Sequence, residues 1–215
     1  MNEVKRFLVL SIVINFIILN IIYAQNGLIG KWIELKDSIT TTYPAINVLE
    51  FTKDKIIQYD FNKPIDSIKY TLNGDVISNG NNYKTYRIIK DNNLELTGKA
   101  SFNGNDTILT SKLLRIEKTI SPDSKNNIST KSIELNWNNQ LNILNFLVSS
   151  INPAFKISRF KLCKSVKLEE LDSMFFISIY CYNIREYVFP IKQVRQNEIV
   201  LYIHDNKEIK ARFLE

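Results

Sequence analysis

The chain has 215 residues, 45% of them hydrophobic and 23% charged, a balance that suits an ordinary folded protein and excludes wholesale disorder. Its formal net charge is +6, yet acids and bases are interspersed and no recognised binding motif accompanies the excess, so nucleic acid is not an expected partner. One His and two Cys exclude zinc sites built from several His or from four Cys, and they leave His204 as the only candidate for histidine-dependent catalysis.

The first ~25 residues read as a cleavable secretion signal. Lys5 and Arg6 form a short basic region, Phe7 to Ile22 is almost wholly apolar, and Tyr23-Ala24-Gln25 offers cleavage after Ala24. Asn15 and Asn20 interrupt the apolar run, whereas a spanning helix needs ~20 consecutive apolar residues. The mature protein is therefore expected to be exported (periplasmic, cell-surface or secreted) with no stable membrane span after cleavage. Roughly 190 residues remain, enough for one large domain or two small ones. The expected division is a signal over 1–24, a first domain over 25–120, a linker over 121–130 and a β-rich region over 131–215.

Aromatic and β-branched residues are abundant beyond the signal, with 12 Phe and 10 Tyr in the whole chain, and such residues suit pleated, half-buried strands. Every Gly lies between Gly27 and Gly104. Several sit in Asn-Gly pairs, among them Asn73-Gly74, Asn79-Gly80 and Asn103-Gly104, the strongest short-range signal for a tight hairpin turn. Between the turns the residues alternate. Leu49 and Phe51 lead to Thr52-Lys53-Asp54-Lys55, and Ile57, Tyr59 and Phe61 come next; Ile68, Tyr70 and Leu72 precede Gly74; Tyr86 and Ile88 lead to Leu94 and Leu96; Ile108 to Ile116 closes the series. Period-two alternation across short turns describes an antiparallel meander with one buried face.

Ser121 to Thr130 is polar, contains Pro122 and has no apolar period, which reads as a linker. Leu141, Leu144, Leu147, Val148 and Ile151 recur at helical spacing and predict a short helix near 139–151, which Pro153 would stop. Phe175 to Tyr180, Arg185 to Val194, Glu198 to Ile203 and Ile209 to Phe213 read as strands, with Pro190 marking an edge or a bulge. The expected class is all-β, mostly antiparallel: an up-and-down barrel, then a second β-rich region with one short helix.

The segment after the signal, Leu28-Ile29-Gly30-Lys31-Trp32-Ile33-Glu34-Leu35, places a Gly-x-Trp at the opening of the first strand of this meander. With Leu49-Glu50-Phe51-Thr52-Lys53-Asp54, Tyr70-Thr71-Leu72-Asn73-Gly74-Asp75 and Asn93-Leu94-Glu95-Leu96-Thr97, it resembles the bacterial lipocalin-like proteins over residues 27–118. The resemblance implies a barrel whose end is plugged by Trp32, with Gly30 before it and Arg115 laid over the indole. A guanidinium so placed contributes ~0.5–2 kcal/mol. It also implies a cavity able to take a small apolar molecule, lined by inward residues that would include Phe51, Ile57, Tyr59, Tyr70 and Leu72, with Leu49, Phe61 and Ile68. The alternative is a barrel filled by its own side chains.

The remaining features leave choices open. Cys163 and Cys181 form either a disulfide, as an oxidising compartment permits, or two buried thiols on neighbouring strands. Lys156, Arg159, Lys161, Lys164 and Lys167 occur with no acid between them, as either a solvated strand face or a surface for an anionic envelope polymer. Glu169, Glu170 and Asp172 cluster, but adjacent acids on a strand point to opposite faces. No catalytic constellation, cofactor motif or metal-ligand pattern emerges, so the chain is not expected to be an enzyme. Two readings remain: an exported module binding a small apolar or amphipathic ligand, and a non-catalytic envelope interaction protein with a filled barrel.

Overall fold

The computed structural model describes residues 27–35, 40–41, 47–80, 82–90, 92–102, 105–137, 139–158, 161–202 and 208–214. The leader expected over 1–24, Arg159, and His204 with Asp205 lie outside them. In chain order the first ten strands are β1 (Gly30–Leu35), β2 (Thr40–Thr41), β3 (Asn47–Phe51), β4 (Lys55–Asp60), β5 (Lys63–Lys69), β6 (Thr71–Asn73), β7 (Val76–Asn79), β8 (Asn82–Lys90), β9 (Asn93–Phe102) and β10 (Asn105–Arg115). All but β2 form one sheet in the order β5-β4-β3-β1-β10-β9-β8-β7-β6. Two of the expected Asn-Gly turns lie at the β6–β7 and β7–β8 connections, where Gly74 and Gly80 have φ of 61° and 57°, a region a side chain disfavours; Asn103-Gly104 lies outside the described residues. The two edge strands, β5 and β6, are consecutive in the chain with only Tyr70 between them, so the sheet curls into a nearly closed barrel. Tyr70 pins that corner, its N–H donating to the Asp54 carbonyl at 3.0 Å and its hydroxyl to the Thr52 carbonyl at 2.7 Å.

The chain continues through a short helix α1 (Lys125–Ser129), then β11 (Ser132–Trp137), β12 (Gln140–Asn145), β13 (Ser150–Asn152), β14 (Phe155–Ser158), β15 (Lys161–Cys163), β16 (Ser165–Leu171), β17 (Met174–Cys181), β18 (Ile184–Val194), β19 (Glu198–Tyr202) and β20 (Glu208–Leu214). The second sheet runs β13-β12-β11-β20-β19-β18-β17-β16, with β2 added alongside β18 and the β14–β15 hairpin standing apart. It too nearly closes, because the Ile151 N–H donates to the Lys164 carbonyl at 3.0 Å and the Ser149 hydroxyl to the Val166 carbonyl at 2.8 Å. Pro190 lies within β18 opposite Phe176 of β17, and on its other side it falls between the residues that pair with β2 and those that pair with β19, a gap in the ladder of the kind that tolerates proline.

Two expectations are corrected here. The helix near 139–151 is instead the strands β12 and β13 with a turn between them. Asn142, Leu144 and Phe146 are buried, while Leu141, Leu147 and Val148 are exposed. A polar residue holds the inward position next to Leu144, and its amide nitrogen donates to the Pro153 carbonyl at 2.7 Å; a count of apolar residues alone therefore mistook period two for period 3.6. The helix lies inside the expected linker. Ser124 caps it by accepting from the Asn127 N–H, and Ile128 is buried in the second barrel's core.

Three clusters hold the molecule together. One fills the first barrel, around Trp32, Phe51, Tyr86 and Leu113. A second fills the other barrel, around Leu144, Phe155, Ile177 and Phe189. The third is a seam between them, where Ile33, Val48, Phe61 and Leu114 from the first sheet meet Leu171, Met174, Phe176 and Val188 from the second. Consecutive residues divide the work: Trp32 and Leu113 point into the barrel, Ile33 and Leu114 into the seam. A strand buried on both faces must be apolar at successive positions. Phe61 and Phe176 meet edge to face at 5.3 Å, a geometry worth ~0.5–1.5 kcal/mol beyond the area buried. Thr119 stitches the connecting segment to the second barrel, its hydroxyl donating to the Ile191 carbonyl at 2.8 Å and accepting from the Phe175 N–H at 2.7 Å.

Candidate ligand cavity in the first barrel

One end of the first barrel is shut by the residues the resemblance pointed to. Trp32 is fully buried and pairs across the strands with Arg115. The Arg115 guanidinium lies over the indole at 4.3 Å from its centroid, and the indole N–H donates to the Leu28 carbonyl at 2.8 Å. Arg115 also donates to the Ile29 carbonyl at 2.9 Å and to the Gly27 carbonyl. Gly30 gives it room, since a Cβ there would stand 3.0 Å from Arg115 Nη1. Burial lowers the pKa of Arg115, with the Glu117 charge acting against it. These contacts tie the segment just before β1 to the end of β10 and close the barrel there.

Above this plug lies a cavity of about 160 Å³. Leu49, Phe51, Ile56, Ile77 and Leu96 form apolar walls, Gln58 adds an amide, and Asp66, Ser67, Ile68 and Lys84 form the rim. The opening is a consequence of topology. Among the described residues, strand β5 pairs only with β4, and β6 only with β7, so the barrel is left unsealed along the line where its edges approach. Every residue of β5 is exposed, and Lys63, Pro64 and Lys69 on it are devices that discourage pairing with another chain. Lys84 reaches the rim across bare backbone: a Cβ on Gly98 would come within 3.0 Å of the Lys84 Cγ. In the wall, Gln58 Nε2 donates to Asn47 Oδ1 at 3.1 Å, and Asn47 Nδ2 donates to Glu34 Oε2 at 2.7 Å.

Of the expected lining residues, Leu49, Phe51 and Ile68 border the cavity, and Tyr70 and Leu72 belong to the core beneath it. Ile57, Tyr59 and Phe61 do not face the cavity, which is a correction with a geometric cause. Phe51 pairs with Ile56 across a four-residue connection, so the inward positions change from odd to even numbers at that turn. Ile56 and Gln58 therefore point inward, while Tyr59 and Phe61 serve the seam. The Tyr59 hydroxyl donates to Glu50 at 2.5 Å, and that bond, followed by burial, pushes the phenol up to about 12. Phe61 takes φ of 55° in a two-residue turn and lies under the Arg185 guanidinium, 4.4 Å from its centroid. Ile77 was missed, although it pairs directly with Leu72 across the Asn73-Gly74 turn. Asp66 and Lys84 carried no signal, because charged residues on an edge strand and near a barrel mouth look like any solvated face.

Elsewhere, Cys163 and Cys181 are joined by a disulfide with Cα atoms 4.4 Å apart. Of the acidic cluster, Glu169 receives two bonds from Arg185, at 2.8 and 2.7 Å, and Asp172 pairs with Lys31 at 2.9 Å across the seam. Burial alone would raise the Glu169 carboxyl, but the bonds and charge of Arg185 hold it below the ordinary carboxylate range. Among the described residues no three His, Cys, Asp or Glu side chains converge to hold a metal, and no helix is long and apolar enough to cross a membrane. The chain matches no protein-family model, and no curated protein matches it.

Proposed function

We propose that the protein is an exported, non-catalytic binding module whose first barrel takes a small apolar or amphipathic ligand. The observation that carries this reading is the cavity: apolar walls, a mouth at the unpaired edges and a rim bearing Asp66 and Lys84. Its volume sets the ligand's size. At about 160 Å³ it matches the ~150 Å³ apolar cavity that accepts benzene, and it is well below the ~300–1,000 Å³ of pockets for drug-sized molecules. A ring or a short alkyl tail fits, with any polar head left at the rim beside Lys84 or Asp66. The plug of Trp32 and Arg115 in a meander barrel agrees with the resemblance to lipocalin-like proteins, and the expected leader supplies the route of export.

The test is native mass spectrometry of the protein isolated from its producing cells. An added mass, released on denaturation and identified as a small apolar or amphipathic compound, is the expected result. A bare protein mass, together with failure of benzene to bind the purified protein, would overturn the reading and favour a filled-barrel interaction module.

A further inference from the structure

A second concavity, of about 320 Å³, opens on the outer surface of the second barrel. It lies where β15, the start of β16 and the turn between β17 and β18 come together, and it is lined by Leu162, Lys164, Ser165, Tyr180, Tyr182 and Asn183. We propose that this groove is a binding site for a carboxylated sugar chain, of the uronic-acid type.

The charge of the groove is the first argument. Among the described residues no carboxylate lines it, and Lys164 does. Lys167 stands beside it with its ammonium 4.9 Å from the centroid of the Tyr180 ring. Lys156 pairs with Leu162 across the β14–β15 hairpin and so shares the face that Leu162 presents to the groove. The nearest acid on this side of the sheet, Glu169, is already held by Arg185 through both of its oxygens. Three members of the acid-free basic stretch thus border one concavity, and a cleft of one sign concentrates ligands of the other.

The aromatic residues say what kind of anion fits. Tyr182 is 85% exposed and adopts φ of 50° next to Asn183 at 67°, a conformation that a bulky side chain seldom takes. The two-residue turn therefore holds a phenol ring out at the lip of the groove, with the Tyr180 ring behind it. A sugar ring has an apolar C–H face that stacks on such rings and hydroxyls that suit Ser165 and Asn183. A simple polyanion has no use for the stacking face.

The disulfide makes the site rigid. Each of the six lining residues lies within two positions of Cys163 or Cys181, and the bridge joins those two residues. It holds both halves of the groove in one arrangement before a ligand arrives, which lowers the ordering cost of binding.

The experiment is a titration of the oxidised mature chain with galacturonic acid oligomers, monitored by backbone amide resonances. Neutral galactose oligomers, polyglutamate and anionic phospholipid vesicles serve as comparisons. The expected result is saturable shifts centred on Lys164, Tyr180 and Tyr182, with neither the neutral sugar nor polyglutamate binding comparably. Lys164→Gln and Tyr182→Ala should each weaken binding about tenfold, as loss of one good contact does, and Tyr182→Phe should retain it. Both positions are exposed, so the variants keep the fold, and reduction of the disulfide should weaken binding as well. Tighter binding to polyglutamate or to vesicles, or binding unaffected by Tyr182→Ala, would overturn the proposal, as would no binding of the uronate.

Discussion

The two barrels have the same plan and opposite interiors. Each is a curled antiparallel sheet of nine strands whose edges nearly meet. Among the described residues, however, the first encloses 9 buried apolar side chains and the second 20. In the second, Phe189 contacts Trp137, Phe155 and Tyr187 with ring centroids 5.4 to 6.4 Å apart, a disulfide ties β15 to β17, and α1 inserts Ile128. In the first, an exposed edge strand and an unsealed gap leave a cavity. Filling a barrel gives it stability and leaves only its outer surface for recognition; leaving it partly empty sacrifices packing and creates an interior that can bind. The seam joins the two, so the loosely filled barrel leans on the densely filled one.

This contrast can be broken at several points. The largest effect is expected for Trp32→Ala, which removes the plug and should cost ~3–5 kcal/mol. The chain's two Trp residues report the barrels separately, Trp32 the first and Trp137 the second. Urea denaturation of Trp32→Phe and Trp137→Phe proteins should give coincident transitions if the seam couples the barrels. A first barrel that melts well before the second would show that the seam does not. Replacing Cys163 and Cys181 by Ala should cost about 3 kcal/mol, the loop-closure value for a loop of this length, read from the shift in urea midpoint. Glu169→Gln should cost about 2 kcal/mol through the loss of its charge-assisted bonds with Arg185. Its pH dependence has a defined sign. The folded-state pKa of Glu169 lies below its ordinary value of 4.5, so the pair's contribution is complete above that value and is lost as pH falls through the lower native one. The stability gap between wild type and Glu169→Gln should therefore close on acidification. The smallest effect, ~1–2 kcal/mol, is expected for Arg115→Met, which keeps the stem over Trp32 and removes the cation. A thermal melt identical to wild type would remove the plug's electrostatic part.

How much of this was legible in the sequence depended on whether a pattern was local. The hairpins of the first barrel were, because Asn-Gly turns and period-two alternation are written in neighbouring residues. Which side of each strand faces inward was only partly legible, since one four-residue turn after Phe51 inverts every later position on β4. The helix assignment near 139–151 failed because Asn142, a polar side chain, occupies a core position and satisfies itself against the Pro153 carbonyl. The closure of the second barrel and the seam depend on contacts between residues far apart in the chain, such as Phe61 with Phe176, and no short-range rule reports them. Trp32 with Arg115 was foreseen from the family resemblance, and the unsealed rim with Lys84 from nothing at all.

We propose that the first barrel, and not the second, has an interior open to a ligand. The most direct measurement is a benzene titration monitored by isoleucine and leucine methyl resonances, on wild type and on Ile77→Phe. Saturable shifts are expected at Leu49, Ile56, Ile77 and Leu96 with none at Ile133 or Ile199. In Ile77→Phe, whose ring fills the cavity, the shifts should vanish without loss of thermal stability. Shifts in neither barrel, or equal shifts in both, would contradict it.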